Sequence, residues 1–312
     1  MGLAIFQMLV FPGVAFLSIA GLIYEFVDRK LYARFQNRMG PPWFQPLADF
    51  IKLVSKEEVI PCEADKGLFR AMPVVALVTT ITAFFYIPLW KPALFSFRGD
   101  LVVVLYLLTI PTLTYFLGGW YSRSVYSALG AARSLTQLFA YEVPLFLTVL
   151  APALLAGTWS LQSMTAFYQA HHWFWLINLP GFAVALVSLL GKLEKVPFDT
   201  PEAETEIVGG SFTEYSGRFL AIFRMAIDIE LVVVSSLLAV VFLPFGLGLP
   251  AVLGFLLWLA KITLIIVLVS LARTAMARLR IDQMMTFCWK WIAPAAFFQI
   301  VLNLVLKGVL LP

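Results

Sequence analysis

The sequence predicts an all-α, polytopic membrane protein with about eight transmembrane helices and with amphipathic or short helices in its cytoplasmic loops. Of the 312 residues, 61% are hydrophobic and 13% are charged, and the mean hydropathy is +0.91. A soluble core cannot bury that much apolar surface. Charge-free runs of about 20 residues, the length that crosses the hydrocarbon, recur along the chain. We therefore treat residues 1–312 as a single integral membrane domain, and we exclude a disulfide-rich secreted domain, a disordered chain and a nucleic-acid-binding protein.

Eight segments are predicted to span the membrane. They are 3–24, 71–90, 101–122, 143–162, 173–191, 218–243, 250–271 and 291–310. The first has no Lys or Arg before it and is too long for the apolar core of a signal peptide, so we expect it to remain as an anchor.

The distribution of basic residues predicts the orientation. The odd-numbered loops, at 25–70, 123–133, 192–224 and 273–290, hold 18 of the 22 Lys and Arg residues. By the positive-inside rule these loops are cytoplasmic and both termini lie outside the cell membrane. Connections between spans are normally short, so the long loops at 25–70 and 192–217 are where we look for function.

The first of these loops contains a predicted amphipathic helix. Its apolar face consists of Trp43, Leu47, Phe50, Ile51 and Val54, whereas Asp49, Lys52 and Lys56 lie off that face. Such a helix lies at the membrane surface with snorkelling lysines or receives a docked subunit. Acidic residues nearly balance the basic ones in this loop, which favours a protein interface over a lipid-binding basic patch.

The second loop is rich in carboxylates. They are Asp199, Glu202, Glu204, Glu206 and Glu214. Thr200 as N-cap and Pro201 as the first helical residue predict a short helix that places Glu202 and Glu206 on one face and Glu204 roughly opposite. Carboxylates this close raise one another's pKa if they are occluded, as a proton relay requires. If the helix is fully hydrated, they form only a solvated acidic face.

Four ionisable residues fall within or at the start of predicted spans. They are Glu142, Asp228, Glu230 and Lys261. Charges at the bilayer centre cost roughly 2.5 to 3.5 kcal/mol each on insertion scales, so they normally face a partner or a watery path. Arg224 and Asp228 are spaced i to i+4 and could simply pair. Arg133, Gln137 and Tyr141 lie on one helical face that leads to Glu142 and could line such a path.

The chain offers few ligands for a redox centre. Cys62 and Cys288 are far apart and lack a CxxC partner, and His171 and His172 are adjacent in sequence. Two such cysteines cannot hold an iron–sulfur cluster or a structural zinc. We therefore expect no cofactor and no metal in this chain.

Four segments, in order and with fitting spacing, resemble the NuoH family, subunit 1 of respiratory complex I, which joins the redox arm to the membrane arm. They are DRK at 28–30 with RMGP at 38–41; QPLADFIKL at 45–53 with KE at 56–57; GAAR at 130–133 through YEVP at 141–144; and PFD at 197–199 with PEAE at 201–204 and EYSG at 214–217. The likeness covers nearly the whole chain.

The resemblance implies a non-redox coupling subunit, inactive alone, within a multisubunit oxidoreductase that moves ions. It implies partners: peripheral [NiFe] hydrogenase-like large and small subunits and iron–sulfur subunits, which would hold the iron–sulfur clusters and a NiFe centre, and antiporter-like membrane subunits in the bilayer. For docking of the redox arm it points to Arg29, Arg34, Arg38 and Asp49, beside Lys52. For the proton path it points to Glu142, Glu202, Glu204, Glu206 and Glu214, and we add Asp199, Asp228, Glu230 and Lys261 as candidates.

Two departures from the family pattern refine this expectation. The segment 40–46 is shorter than in quinone-reducing members and resembles the membrane-bound, energy-converting [NiFe] hydrogenase branch, of the type called MbhM. The family's glutamate in the sixth span falls on Ile227, with Asp228 beside it.

Our leading hypothesis is accordingly a ferredoxin-linked [NiFe] hydrogenase. The alternatives are a complex that reduces quinone, methanophenazine or sulfur, and a stand-alone secondary transporter that uses Lys261 and Glu142. The residues do not distinguish proton from sodium as the ion moved.

Overall fold

The computed structural model describes residues 2–310, without the side chains of residues 2–5, 204, 205 and 310. Within this part every regular element is helical, which confirms the predicted fold class. The α-helices are α1 Gly2–Leu9, α2 Val14–Phe35, α3 Gln45–Val54, α4 Lys66–Phe84, α5 Asp100–Tyr121, α6 Val125–Ala156, α7 Leu161–Ala170, α8 Phe174–Ile177, α9 Leu179–Lys192, α10 Glu204–Ile207, α11 Gly217–Phe242, α12 Ala251–Ala275, α13 Ile281–Phe287 and α14 Ala293–Leu310. A 3-10 turn at Gly210–Phe212 follows α10, and a π-helical segment at Cys288–Ile292 joins α13 to α14.

Seven helical stretches among the described residues are long and apolar enough to cross a membrane. They are Phe6–Phe35, Lys66–Phe84, Asp100–Tyr121, Val125–Ala156, Gly217–Phe242, Ala251–Ala275 and Ile281–Val309. The fifth predicted span differs, because 173–191 divides at Asn178 into the single turn α8 and the 14-residue helix α9. Pro180 begins α9 without an amide donor, and the Asn178 side chain is buried against Tyr168 and Asn303.

Several predicted boundaries were wrong at the charged ends of the spans. The sequence suggested that 123–133 is a loop, yet α6 begins at Val125 and continues for 32 residues until Gly157, whose φ is +68°. The boundaries had been placed at charged residues, but paired or partly hydrated charges do not end a helix. Arg133 in α6 is an example, because it forms an ion pair with Glu206 in the loop that follows α9.

Helix α11 lies at the centre of the bundle. It packs against α2, α4 and α12, and every residue from Ile229 to Phe242 is buried. That segment is apolar on all sides except at Glu230, Ser235 and Ser236, the pattern of a helix surrounded by others. A charged side chain on this segment is therefore forced into the protein interior.

The long loops meet at one end of the bundle, which we call the charged end (residues 36–65, 122–124, 193–216 and 276–280). The amide of Leu279 donates to the carbonyl of Pro197 at 3.0 Å, and the amide of Val59 donates to the Ser216 hydroxyl at 3.0 Å. Helix α6 approaches the 3-10 turn so closely that a Cβ at Gly130 would lie 2.4 Å from the backbone of Ser211. The charged end is thus a packed structure rather than a set of free loops.

Helix α3 forms as predicted and lies at this end. Phe50 turns inward and packs against the bundle, but Leu47, Ile51 and Val54 are exposed, as is Trp43 before the helix. Most of the predicted apolar face therefore points away from the rest of the chain.

Candidate functional site

A cavity of about 720 Å³ opens at the charged end between α2, α3, α11 and the segment that follows α9. Of the 25 described residues that line it, 16 are charged, eight of them acidic and eight basic. Charged walls bind water and ions, whereas a greasy ligand would have to desolvate them. We call this space the charged cavity.

Seven of the residues predicted from the sequence line the charged cavity. They are Arg29, Asp49, Lys52, Asp199, Glu202, Asp228 and Glu230. Arg29 joins α2 to α3, because its guanidinium lies 2.6 Å from Glu25 and 3.1 Å from Asp49. Arg34 and Arg38 are exposed at the charged end beyond this lining.

The other predicted residues lie elsewhere. Glu214 is half-buried outside the lining, and the Glu204 side chain is outside the described residues. Lys261 lies at the opposite end of the bundle, where its ammonium donates to the carbonyls of Leu243, at 2.5 Å, and Phe245 at the carboxyl end of α11. Capping a helix terminus in this way satisfies the charge of Lys261 without a watery path.

The carboxylate-rich loop does not form the predicted helix. Only Glu204–Ile207 is helical, because the Thr200 hydroxyl donates to Gln137 at 2.6 Å instead of capping. Glu202 pairs with Arg224 at 2.9 Å, and the exposed Glu206 pairs with Arg133 at 2.6 Å.

The two glutamates therefore point to different partners, and the prediction that they share a face was wrong. Arg133 holds the pKa of the Glu206 carboxyl below its usual range through a hydrogen bond and its charge. The partner of Arg224 is Glu202, and Asp228 is left to line the charged cavity.

A buried acid that we did not select from the sequence holds three elements together. Asp28 is 1% exposed and accepts hydrogen bonds from Lys195 at 2.5 Å, Ser270 at 2.7 Å and Arg273 at 3.2 Å. It joins α2 to α12 and to the segment after α9. Its place in the DRK segment was a signal, but its partners are over 160 residues away in sequence.

Glu194 was also missed. It follows α9 with a φ of +49°, a left-handed conformation uncommon outside glycine, and its Oε1 is buried without a hydrogen-bond partner among the described residues. Burial, together with the negative charges of Glu202 and Glu230, raises its pKa to about 8. A carboxyl group with this pKa exchanges protons near neutral pH.

A buried ion pair lies at the inner end of the charged cavity. The Lys192 ammonium lies 2.7 Å from Glu230 Oε1, and the two side chains are 2% and 1% exposed. Tyr115 donates to the other oxygen of Glu230 at 3.1 Å. Lys192 also donates to the carbonyl of Leu108 at 2.5 Å.

Beyond Lys192, polar groups continue to Glu142. A second cavity of about 10 Å³ is lined by Lys192, Tyr141, Thr109 and Glu142 among apolar side chains. The Thr109 hydroxyl donates to Glu142, and the hydroxyls of Tyr141 and Thr112 lie 3.0 Å apart. Two residues of the predicted polar face, Gln137 and Tyr141, are buried beside this route, and Arg133 lies at the charged end.

An apolar helical bundle with a charged cavity at one end and ionisable side chains inside defines a membrane protein that handles ions internally. The family model described as NADH dehydrogenase matches residues 6–304. NADH-quinone oxidoreductase subunit 8 of Thermus thermophilus is 36% identical over 318 residues, covering 96% of this chain and 87% of that protein. The corresponding NADH-quinone oxidoreductase chain of Dehalococcoides mccartyi is 36% identical over 298 residues, covering 92% of this chain and 83% of that protein.

A solved structure shares the fold. It is the membrane-bound sulfane sulfur reductase, an archaeal respiratory membrane complex, with a TM-score of 0.86, 26% identity, and coverage of 97% of this chain and 100% of the matched chain. The chain belongs to the NADH dehydrogenase (NuoH) family, which confirms the resemblance seen in its motifs. It is a NuoH-like subunit of a membrane respiratory complex related to complex I.

Proposed function

We propose that this chain couples electron transfer in a peripheral redox arm to ion movement in the membrane. The observation that carries the proposal is the continuous series of ionisable groups from the charged cavity through Glu194, Glu230 and Lys192 to Glu142. Buried charges are expensive in an apolar bundle, so a chain that retains several in sequence is using them. In this proposal the chain itself holds no cofactor, and electrons stay in partner subunits.

The charged end is the docking side of the redox arm in this proposal, and it is cytoplasmic. The exposed face of α3, with Leu47 and Ile51, supplies an apolar surface, and Arg34 and Arg38 supply charge beside it. An apolar patch rimmed by charge is typical of a protein interface.

The lining of the charged cavity favours some electron acceptors over others. A quinone or methanophenazine tail would have to lie against 16 charged residues of the 25 described in the lining, at a large desolvation cost. We therefore propose a complex whose acceptor is reduced in the peripheral arm, most specifically a ferredoxin-linked [NiFe] hydrogenase with hydrogenase-like, iron–sulfur and antiporter-like subunits. The likeness to the sulfane sulfur reductase supports a sulfur-reducing complex as the second candidate.

Isolation of the intact complex through a tag on this chain tests the proposal. Mass spectrometry would identify the co-purifying subunits, and nickel content and hydrogen evolution from reduced ferredoxin would be measured. Nickel with hydrogen evolution supports the hydrogenase, and a nickel-free complex that reduces sulfur compounds supports the second candidate. A chain that purifies alone and transports a solute by itself would show a secondary transporter and overturn the coupling function.

Two neighbouring glutamates provide a matched test of the ion path. Glu202 and Glu206 both pair with an arginine, but only Glu202 lines the charged cavity. We expect Glu202→Gln to lower ion uptake per electron by about tenfold, as loss of a relay group does, and Glu206→Gln to leave it near the wild-type value. Equal effects of the two substitutions would contradict the assignment of the path.

A further inference from the structure

Lys192 occupies a singular place in this series of groups. Among the described residues it is the only one that lines both the charged cavity and the second cavity beside Glu142. Its side chain, 2% exposed, fills the space between them. Whatever passes from one cavity to the other must pass the ammonium group.

The helix opposite provides an anchor for this ammonium. Pro111 lies inside α5, lacks the amide hydrogen that would bond to the carbonyl of Leu107, and opens that turn of the helix. The adjacent carbonyl of Leu108 accepts from Lys192 at 2.5 Å. The ammonium is thus held by a neutral backbone group as well as by an acid.

The contact with the acid is an ion pair without a directed hydrogen bond. The ammonium lies 2.7 Å from Glu230 Oε1, yet that oxygen receives no hydrogen bond of acceptable angle from any described residue. The other oxygen of Glu230 is fixed by Tyr115 at 3.1 Å. Glu230 is therefore held in place independently of Lys192, and the ammonium can leave without releasing the carboxylate.

The second cavity offers the ammonium another partner. Its volume of about 10 Å³ is close to the roughly 10 to 15 Å³ that one water molecule needs. Glu142 projects into it, held by the Thr109 hydroxyl, and forms no ion pair with a described residue. A carboxylate without a cation lies on one side of Lys192 and a carboxylate with a cation lies on the other.

We propose that Lys192 is a gate whose ammonium exchanges Glu230 for Glu142 across the second cavity. This inference rests on the proposed coupling function and adds the group that regulates passage. While the ammonium lies on Glu230, its fixed positive charge between the cavities repels a hydronium or sodium ion. When it moves to Glu142 it keeps its three protons, and Glu230 takes one proton from the water of the charged cavity; on return that proton is released to the same water.

The test uses the intact complex reconstituted in lipid vesicles. Ion uptake per electron and passive ion leak are measured with pH-sensitive and sodium-sensitive dyes for wild type, Lys192→Met and Lys307→Met. Lys307 is the matched control, because its ammonium also donates to a carbonyl, that of Leu154 at 2.9 Å, far along the chain from the path. We expect Lys192→Met to raise leak and lower uptake per electron, each by about tenfold, and Lys307→Met to change neither.

A purely structural lysine would behave differently. In the double variant Lys192→Met with Glu230→Gln, neither partner is left as an unpaired buried charge, so assembly is protected. We expect the double variant to leak as the single one does, and Lys192→Cys treated with 2-bromoethylamine, which rebuilds an ammonium side chain, to regain tight coupling.

The outcomes separate the two proposals. Wild-type coupling in Lys192→Met, or coupling restored in the double variant, would overturn the gate while the coupling function stands. Wild-type vesicles that turn over their redox substrate without ion uptake would instead overturn the coupling function.

Discussion

Replacing Asp28 with Asn should destabilise the bundle far more than the same change at an exposed ion pair. Asp28 is 1% exposed and is the shared acceptor for Lys195, Arg273 and Ser270, at 2.5 to 3.2 Å. Asn keeps the shape but removes the charge, and its amide group would face two cations that can only donate. Breaking a buried ion pair by removing one partner typically costs about 3 to 5 kcal/mol.

The structure places the cost near the lower end of that range. The side chains of Lys195 and Arg273 are 11% and 22% exposed, so water of the charged cavity can partly hydrate them when the carboxylate is gone. A loss of about 3 kcal/mol corresponds to a fall in Tm of roughly 6 to 12 °C, at about 2 to 4 °C per kcal/mol for a chain of this size class.

Asp49 provides the matched control. It also pairs with an arginine, Arg29 at 3.1 Å, but the two side chains are 40% and 41% exposed. An exposed pair contributes about 0 to 1 kcal/mol, so Asp49→Asn should shift the Tm by a few degrees at most. Thermal dissociation of the purified complex in detergent, followed by size-exclusion fluorescence, measures both variants. Equal shifts for Asp28→Asn and Asp49→Asn would refute the reasoning about burial.

Three further predictions follow from the site. Because Glu194 has its pKa raised to about 8, its ionisation costs the folded state stability as pH rises from its usual value of 4.5 towards 8; Glu194→Gln should therefore be more heat-stable than wild type at pH 9 and equal to it near pH 4, and an equal difference at both pH values would contradict this. Gly130→Ala should cost about 1 to 3 kcal/mol in thermal stability, because its Cβ would lie 2.4 Å from the backbone of Ser211, and an unchanged Tm would show that α6 does not pack so closely. Ile51→Glu on the exposed face of α3 should leave the Tm of the isolated chain unchanged but weaken capture of peripheral subunits by about tenfold or more in a pull-down, and undiminished capture would exclude this face from docking.

The sequence predicted the membrane fold and the two functional loops because those features are local. Hydropathy locates a span from neighbouring residues alone, and the amphipathic period of α3 is visible within ten residues. The predicted carboxylate helix failed for a non-local reason. The Thr200 hydroxyl, a good cap by its position, is bound by Gln137, which is 63 residues away in the chain.

The centre of the site was missed for the same reason. Lys192 and Glu194 follow directly on an apolar span, where charges ordinarily mark the membrane surface, so they had no feature that distinguished them from surface charges. Only the packing of α9 against α5, α6 and α11 shows that Lys192 points inward to Glu230. Glu230 itself was selected because α11 is apolar around it, which is a local signal.

The central claim is that electron transfer drives ions through this chain along the path that ends at Glu142. The most direct measurement is ion uptake per electron by the reconstituted complex, with wild type compared with Glu142→Gln, whose carboxamide keeps the contact with Thr109 but cannot ionise. We predict that wild type takes up ions during redox turnover and that Glu142→Gln loses most of this uptake while its subunits stay assembled. Ion uptake per electron that is unchanged in an assembled Glu142→Gln complex would contradict the claim.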